Sequence, residues 1–389
     1  MTVQARAGVY RLHSLDATMP SWSERADRHP AVAFADSCLR GVGQVCFMDN
    51  PVTGVLFLLA LYLYTPWLGT ATIVGVAAAT VTAHLLGLDR VAIRAGLYGF
   101  NGTLVGAGFA TFLSPPWHGA IFGYIIGGAA ASTIVMAALT TILVPTWQAP
   151  PLTLAFNIVT LASLVAALGL AHGHAGTLLT PGTIQHPGPA TGTALRSTVD
   201  SAGSYDVAAL ANALFRGVSQ IFLANSLISG IVIIIGMTVC SRIAAGLVLA
   251  GSAVGGAIGI ALGSDGYAIY HGLLGYNSCL TAAAIAGVFL VLSRRTFVLG
   301  IFGAVMSAVM SAVLAATLSV LFTPWGLPAL TLPFCLATLA ILLVKGHVTN
   351  LDAVPLDTLS TPEQHLRQGL TTPEQLRKQR AKPLPASRQ

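Results

Sequence analysis

The sequence predicts an all-α polytopic membrane protein with two homologous halves of inverted topology, each with about five transmembrane helices and one half-helix, around a central pore. Of its 389 residues, 54% are hydrophobic and 8% are charged, whereas roughly 25% are charged in a soluble domain. Apolar segments of bilayer-crossing length recur along the chain. A nine-residue motif at 96–104 returns at 272–280 as G-L-x-G-aromatic-N-small-x-L.

Composition divides the chain into five segments. Residues 1–34 carry arginines without an apolar period and should form a cytosolic segment. Without an apolar core and a small-residue cleavage site, we expect no cleaved signal peptide there. Residues 35–171 are expected to be the first membrane repeat, 172–207 an extracytoplasmic linker rich in Gly, Thr, Ser and Pro, 208–347 the second membrane repeat, and 348–389 a cytosolic polar and basic tail.

In the first repeat, an apolar segment runs from about residue 39 to residue 64 and should break at Asn50-Pro51, because proline removes a backbone donor and clashes with the preceding turn. The motif follows a loop at Asp89 and leads into an apolar piece ending near Leu113. That piece alone is shorter than the roughly 20 residues that a crossing helix needs. Further spans are expected at 68–86, 118–144 and 152–171.

The second repeat follows from sequence duplication. Residues 39–49 match 215–225 at the motif's own offset of 176, and residues 150–156 match 328–334 at an offset of 178. If each half crosses the membrane an odd number of times, seventeen of the 19 basic residues lie on one side of the membrane. Only Arg196 and Arg216 lie on the other side. The positive-inside rule then favours inverted halves with both termini in the cytoplasm.

The tail contains a small repeat, residues 361–364 and 372–375. Each copy predicts a helix start, with Thr361 or Thr372 as N-cap and proline at the first helical position. Because the surrounding residues are polar, we expect this tail to be solvated.

The repeated motif predicts a half-helix of about twelve residues that starts at Asp89 and ends with its carbonyl groups near the bilayer midplane. Two such ends would supply acceptors and the negative ends of two helix dipoles to a central pathway. Gly99, Asn101, Gly275 and Asn277 are assigned structural roles at these half-helix ends.

Side chains near the motif suggest the walls of that pathway. Phe100 and Leu104 are four residues apart and share a helix face, as do Tyr276 and Leu280. Aromatic plates beside carbonyl acceptors suit a small, planar, neutral solute with several N–H donors, and threonine hydroxyls can pair with its carbonyl oxygen. The predicted pore residues are Gln44, Phe47, Phe100, Leu104, Thr153, Gln220, Ile221, Leu223, Tyr276, Leu280 and Thr331.

At these residues the sequence resembles the urea transporter family. The resemblance covers roughly residues 35–345, and its most specific carriers are residues 86–102, the partner motif at 272–280, the Arg-Gly-Val-x-Gln openings at Arg40 and Arg216, and the paired Leu-Thr-Leu segments. It implies a homotrimer in the cell membrane with one pore per protomer. It also implies a narrow filter through which urea passes in single file between slot residues and along carbonyl ladders.

The resemblance also implies individual roles. Gln44 and Gln220 would stand at the two filter ends, and Thr153 and Thr331 at its centre. The slots would consist of Phe47, Phe100 and Leu104 on one side and Leu223 or Ile221, Tyr276 and Leu280 on the other. The sequence departs from the family pattern at Tyr276, where phenylalanine is commoner, and at Gln220, where some members carry an acid.

Passive, channel-like urea transport is therefore the expected function, with the lipid bilayer as surroundings. We expect no enzyme activity, cofactor, metal or nucleic-acid partner, since no catalytic cluster, phosphate-cradling loop or metal-ligand spacing occurs in the sequence. One alternative is an ion-coupled carrier for a small amide or amine with Asp36 or Asp49 as coupling acid, although the spans hold few carboxylates. Another is a channel for ammonia or water. The ammonium version needs two facing histidines, whereas His84 and His271 occupy unmatched positions.

Overall fold

The computed structural model describes residues 17–167, 174–175, 207–264, 266–322, 326–345 and 351–369. In the first half the helices are α1 (Pro20–Ala26), α2 (Pro30–Gln44), α3 (Pro51–Tyr64), α4 (Pro66–Leu85), α5 (Arg90–Arg94), α6 (Gly99–Phe112), α7 (Gly119–Trp147) and α8 (Leu154–Ala167). Two short strands, β1 (Leu113–Ser114) and β2 (His174–Ala175), pair antiparallel after α6 and α8.

The same order of helices returns in the second half. It comprises α9 (Val207–Ser219) with a 3-10 turn (Gln220–Phe222), α10 (Leu227–Cys240), α11 (Arg242–Ala261), α12 (Gly266–Tyr270), α13 (Gly275–Ala283) continued by a π-helix (Ala284–Val288), α14 (Arg294–Leu321) and α15 (Leu332–Val344). In the tail, a 3-10 turn (Leu356–Thr358) precedes α16 (Pro362–Gly369).

Four described helices, α4, α7, α11 and α14, are long and apolar enough to cross a membrane. The helices α9 and α10 form a pair bent by 72° that counts as a fifth crossing if the pair is one span. The helices α3, α8 and α15 are apolar but shorter. These lengths agree with a polytopic helical protein, and five crossings in each half remain a prediction.

The break expected at Asn50-Pro51 is present between α2 and α3. The Asn50 side chain accepts hydrogen bonds from the N–H groups of Val52 and Thr53, and Pro51 occupies the first turn. At the equivalent break between α9 and α10, Ser226 accepts from the N–H of Ser229. Each break therefore supplies the cap that the next helix needs, because the first N–H groups of a helix have no partner within it.

The two halves contact each other reciprocally through α3 and α10. The Thr53 hydroxyl donates to the Gly236 carbonyl at 2.8 Å, and the Ser229 hydroxyl donates to the Ala60 carbonyl at 2.8 Å. Thr53 and Ser229 are equivalent at the offset of 176, as are Ala60 and Gly236. Such an exchange is the contact pattern of a two-fold axis. Because residue numbers rise along α3 where they fall along α10, these equivalent helices pack antiparallel.

The predicted position of the motif on a half-helix is wrong. The helix α5 has five residues and ends at Arg94, and Gly99 begins α6 rather than ending a helix. The reason is a Schellman-type cap. Gly96 adopts the left-handed conformation with φ +75°, and the Leu97 N–H bonds back to the Ala92 carbonyl at 2.9 Å. A glycine in this conformation ends a helix. The chain can then begin a new helix, here α6, after the turn.

The second copy of the motif repeats this geometry. Gly272 has φ +67°, and the Leu273 N–H bonds to the Ala268 carbonyl at 3.0 Å. A side chain on Gly272 would collide with the backbone nitrogen of Gly217, just as one on Gly96 would collide with that of Gly41. Glycine is thus required by both the conformation and the close approach.

The tail was expected to be solvated, but residues 351–369 pack onto the membrane helices. The Val291 N–H donates to the Asp352 carbonyl and the Val354 N–H to the Phe289 carbonyl, each at 2.9 Å. Glu363 accepts from the Ser241 hydroxyl at 2.7 Å and from the Ile243 N–H at 2.9 Å. A carboxylate at this place is favourable because it lies at the amino end of α11.

The predicted helix start in this segment is confirmed. Pro362 opens α16, and the Gln364 N–H donates to the Thr361 hydroxyl at 3.4 Å. The second copy of the repeat, with Thr372, lies outside the described residues.

His365 anchors the docked segment in a defined tautomer. Its side chain is 2% exposed. The Ser360 N–H donates to Nε2 at 2.9 Å, so Nε2 carries no hydrogen, and Nδ1 lies 3.1 Å from the Gly287 carbonyl to which it donates. Burial lowers the pKa of His365 from its ordinary value of 6.5, against the opposing effects of the Gly287 carbonyl and of Glu363.

We expect docking of this segment to weaken on acidification. The docked His365 has a lowered pKa, whereas the released histidine titrates near 6.5, so docking is most favourable above that pH and loses free energy as the pH falls below it. Backbone amides of residues 351–369 should show strong protection from hydrogen exchange at about pH 7.5 and weaker protection at about pH 5. In the control, His365→Gln, this difference should vanish. Equal protection of the wild-type segment at both pH values would contradict the expectation.

Candidate functional site

A cavity of about 440 Å³ is lined by residues of both halves, among them Tyr64 and Phe112 of the first half, and it reaches the predicted pore residues Gln220, Leu223 and Tyr276. One of its walls is the non-helical segment 326–330. Non-helical backbone at membrane depth is tolerated where protein buries it or where it lines a wet cavity. This segment therefore makes the cavity a candidate site for a polar solute.

The two glutamines predicted at the filter ends occupy equivalent positions. The Gln44 Nε2 donates to the Ala95 carbonyl at 2.9 Å, and the Gln220 Nε2 donates to the His271 carbonyl at 3.2 Å. Ala95 and His271 lie in the turns just before the two motifs. Each glutamine therefore ties the helix break beside it to a motif turn.

Phe47 and Leu223 lie in the two helix breaks and share an unusual backbone. Their φ angles are +64° and +59°, a conformation that costs an L-residue roughly 1–2 kcal/mol. The Phe47 ring packs edge-on against Phe289 and Phe334, with centroids 5.8 and 6.1 Å away. Leu223 lines the cavity, whereas Ile221 is 1% exposed and is not among the cavity-lining residues. Leu223 is thus the structural counterpart of Phe47.

The four slot residues of the motifs lie on α6 and α13 as expected. Phe100 and Leu104 are buried one turn apart, and Leu280 is buried one turn beyond Tyr276. The Tyr276 hydroxyl donates to the Leu330 carbonyl at 2.7 Å. Phe100 has no hydroxyl and cannot make an equivalent bond, so the two motif positions differ in hydrogen bonding.

Asn101 and Asn277 bond mainly to the helices that follow the central threonines. Their Oδ1 atoms accept from the N–H of Phe156 at 3.0 Å and of Phe334 at 3.3 Å. The Asn277 Nδ2 also donates to the Leu330 carbonyl at 3.0 Å, but the Asn101 Nδ2 is buried without a hydrogen-bond partner among the described residues. Gly99 and Gly275 stand beside them as the first residues of α6 and α13.

Thr153 and Thr331 meet between the halves. Each is 3% exposed, and their hydroxyl oxygens are 2.6 Å apart. Sequence reasoning missed their partner Asn157, whose Nδ2 donates to the Thr331 hydroxyl at 2.9 Å. The available signal was an amide one turn after Thr153 in an otherwise apolar helix, since polar groups inside membrane helices are costly and need a partner.

The acids proposed for ion coupling belong to an ion-pair cluster. Arg40 is 3% exposed and contacts Asp36 at 2.8 Å and Asp49 at 2.6 Å. Arg94 also reaches Asp36 at 3.1 Å. Both carboxylates are therefore engaged by guanidinium groups.

The described residues contain no group of three or more His, Cys, Asp or Glu side chains placed to hold a metal ion. His271 lines the cavity and bonds to Asn225 and Arg216, whereas His84 is an exposed residue of α4. The structure thus does not bring the two histidines together.

Repeated helices and apolar segments of crossing length define a multi-pass membrane protein. A sequence model of the urea transporter family matches residues 35–346. The chain is 33% identical over 350 residues to urea transporter 1 of Ovis aries and 32% identical over 345 residues to urea transporter 1 of Mus musculus. Each alignment covers 87% of this chain and 84% of the relative. The chain belongs to the urea transporter family, which confirms the resemblance carried by the motifs.

The equivalent asparagines provide a matched pair for testing the site. Asn277 bonds to Ser311, Leu330 and Phe334, whereas Asn101 bonds to Phe156. We expect Asn277→Leu to lower the free energy of unfolding by roughly 2–3 kcal/mol and Asn101→Leu by about 1 kcal/mol, since each buried group left unpaired carries its own penalty. The measurement is the thermal transition of the purified protein in detergent. Equal losses in the two variants would contradict the difference in pairing.

Proposed function

We propose that this protein conducts urea passively down its concentration gradient through a narrow filter of aromatic and aliphatic slots and acceptor oxygens between the two halves. The observation that carries the proposal is the polar centre, where Thr153 and Thr331 from the two halves meet at 2.6 Å beside buried apolar and aromatic side chains. Membership of the urea transporter family supplies the substrate class.

Urea is planar and neutral, with N–H donors on both nitrogens and one carbonyl acceptor. Flat side chains such as Phe47, Phe100 and Tyr276 suit its faces, and the central hydroxyls suit its oxygen. Removing such a solute from water is costly unless each polar group finds a new partner. A filter with acceptors along its walls and donors at its centre meets that requirement.

The acceptors differ in origin from those expected for half-helix ends. The helices α6 and α13 present their amino ends at the motifs, so their dipoles do not place negative ends there. We propose instead that carbonyl groups of residues 326–329, in the non-helical segment that lines the cavity, serve permeating N–H donors.

We also propose that the halves have inverted topology, with both termini in the cytoplasm of the cell. The antiparallel packing of α3 and α10 supports the inversion. The Ala17 N–H bonds to the Cys240 carbonyl, and Glu363 bonds to Ser241. These contacts bring the amino-terminal segment, the arginine-bearing α10–α11 turn and the tail to one face.

A homotrimer in the cell membrane, with one pathway in each protomer, completes the proposal and rests on the family resemblance. Exposed apolar side chains along α7 and α14, such as Ile126, Ile134, Phe302 and Val313, suit lipid or a neighbouring protomer.

The ion-coupled alternative is less well supported because Asp36 and Asp49 are held by Arg40. A coupling acid must bind and release its ion, whereas these two carboxylates are already hydrogen-bonded to the Arg40 guanidinium. For the ammonium version of the channel, the exposed position of His84 argues against a facing histidine pair.

Stopped-flow light scattering of proteoliposomes in a urea gradient tests the proposed function. We expect urea permeability well above that of empty vesicles, with the same value in the presence and absence of proton and sodium gradients. A Thr153→Val/Thr331→Val double variant keeps the side-chain shapes, removes both hydroxyls and should lose most of this permeability. Wild-type permeability equal to that of empty vesicles would refute urea conduction.

The variant Asp49→Asn separates the structural role of this acid from a coupling role. Loss of the charge that faces Arg40 should lower the free energy of unfolding by roughly 1–3 kcal/mol, measured as a shift of the thermal transition. Urea flux per folded molecule should stay within about twofold of wild type and remain independent of ion gradients. A proton- or sodium-dependent wild-type flux that this variant abolishes would favour the coupled carrier.

A further inference from the structure

The centre of the pathway breaks the symmetry between the halves at one pair of residues. Thr153 and Thr331 are equivalent at the offset of 178, but one turn later the first half has Asn157 and the second half has Cys335. Both side chains are fully buried and both reach the threonine pair. An amide and a thiol differ in hydrogen bonding, because the amide donates strongly and the sulfur interacts weakly.

The orientation of the Asn157 amide follows from a backbone partner. The Thr331 N–H donates to Asn157 Oδ1 at 3.1 Å, so that atom is the oxygen. The Nδ2 atom then donates its two hydrogens, one to the Thr153 carbonyl at 2.8 Å and one to the Thr331 hydroxyl at 2.9 Å. The Thr331 oxygen is therefore an acceptor of the amide.

The direction of the hydrogen bond between the two threonine hydroxyls follows from where each hydroxyl hydrogen can find an acceptor. For the hydrogen of Thr331, the acceptor found among the described residues is the Thr153 oxygen at 2.6 Å. If Thr153 donated instead, the Thr331 hydrogen would be left without an acceptor in this buried site, at a cost. In the favoured arrangement, the Thr153 hydrogen points to Cys335 Sγ, 3.1 Å away.

On the basis of the proposed urea conduction, we infer that Asn157 is a positioning residue that orients the threonine pair and makes Thr153 the hydroxyl that donates to the carbonyl oxygen of urea. Asn157 acts through Thr331 and does not itself contact the solute. The bond from Thr153 to sulfur is weak, so a carbonyl oxygen can replace it at little cost. Thr331 supports that donor by sharing its own hydrogen with the Thr153 oxygen, which strengthens a chain of hydrogen bonds.

The direction has a measurable consequence in the separate threonine variants. Thr153→Val removes the donor itself and should lower urea permeability roughly tenfold, whereas Thr331→Val removes only its support and should lower permeability about two- to threefold. The double variant Asn157→Cys/Cys335→Asn exchanges these two residues and serves as the exchanged background. In it, the amide at position 335 faces Thr153 instead of Thr331. The order of the two valine variants should then reverse.

The experiment measures urea flux of all six proteins in proteoliposomes, per molecule of folded protein quantified by size-exclusion chromatography. Reversal of the order supports the inference, because a merely structural role of Asn157 would not exchange the sensitivities of two other residues. The same order in both backgrounds, or equal effects of the two valine variants in the native background, overturns it. Absence of urea flux in the unmodified protein would instead refute the proposed function, so the two failures are distinguishable.

If the exchanged protein does not fold, Asn157→Asp provides a second measurement. A carboxylate accepts from the Thr331 hydroxyl and so reverses the pair, leaving Thr153 without a hydrogen for the solute. Thiourea, whose sulfur is a weaker acceptor than the urea oxygen, reports on this donor. We expect the ratio of urea to thiourea permeability to fall several-fold in Asn157→Asp and not to fall in Cys335→Ala, which removes the weak sulfur partner of Thr153 without adding a stronger acceptor. An unchanged ratio in Asn157→Asp overturns the inference.

Discussion

The need to pair backbone polar groups where helices break inside an apolar region governs this structure. Unpaired N–H and C=O groups are costly there because water does not compete for them. Gln44 and Gln220 therefore bond to carbonyls of the motif turns, and Asn101 and Asn277 accept from the first turns of α8 and α15. The side chains that outline the candidate pathway thus also form hydrogen bonds to the backbone around it. The groups left for a solute are those that make no such bond within the protein.

Duplication makes the pathway nearly symmetric, and the departures from symmetry carry its individual chemistry. Tyr276 bonds to the Leu330 carbonyl where Phe100 has no hydroxyl, and Asn157 stands opposite Cys335. The two arginines that open the halves also differ. Arg40 pairs with carboxylates, whereas Arg216 bonds to His271 at 2.9 Å and stacks over a tyrosine ring at 4.4 Å. The surroundings of these two arginines thus differ in charge, although the arginines occupy equivalent positions in the two halves.

Apolar packing and specific hydrogen bonds together hold the docked tail, since Val354 is buried and Leu351, Leu356 and Leu359 pack against the hydrophobic core. Glu363 satisfies the exposed N–H groups at the start of α11, and His365 links the Gly287 carbonyl to the Ser360 N–H. Because the Ile243 and Ser360 N–H groups and the Gly287 carbonyl gain partners in this way, hydrogen bonds as well as apolar side chains hold this largely polar segment in place. Composition alone predicted a solvated tail, because a polar segment that is docked on other helices has the same composition as one that is surrounded by water.

The sequence by itself determined the helical membrane class, the duplication, the break at Asn50 and the family, because these depend on hydrophobic length, local capping chemistry and repeated residues. It also placed Thr153 and Thr331 in equivalent positions at the start of α8 and α15. Tertiary structure alone decided that Gly99 begins a helix, that Leu223 rather than Ile221 lines the cavity, and that Asn157 bonds to Thr331. Those outcomes depend on which groups a fold brings within about 3 Å of one another, and residues 174 positions apart reveal no such contact in the linear chain.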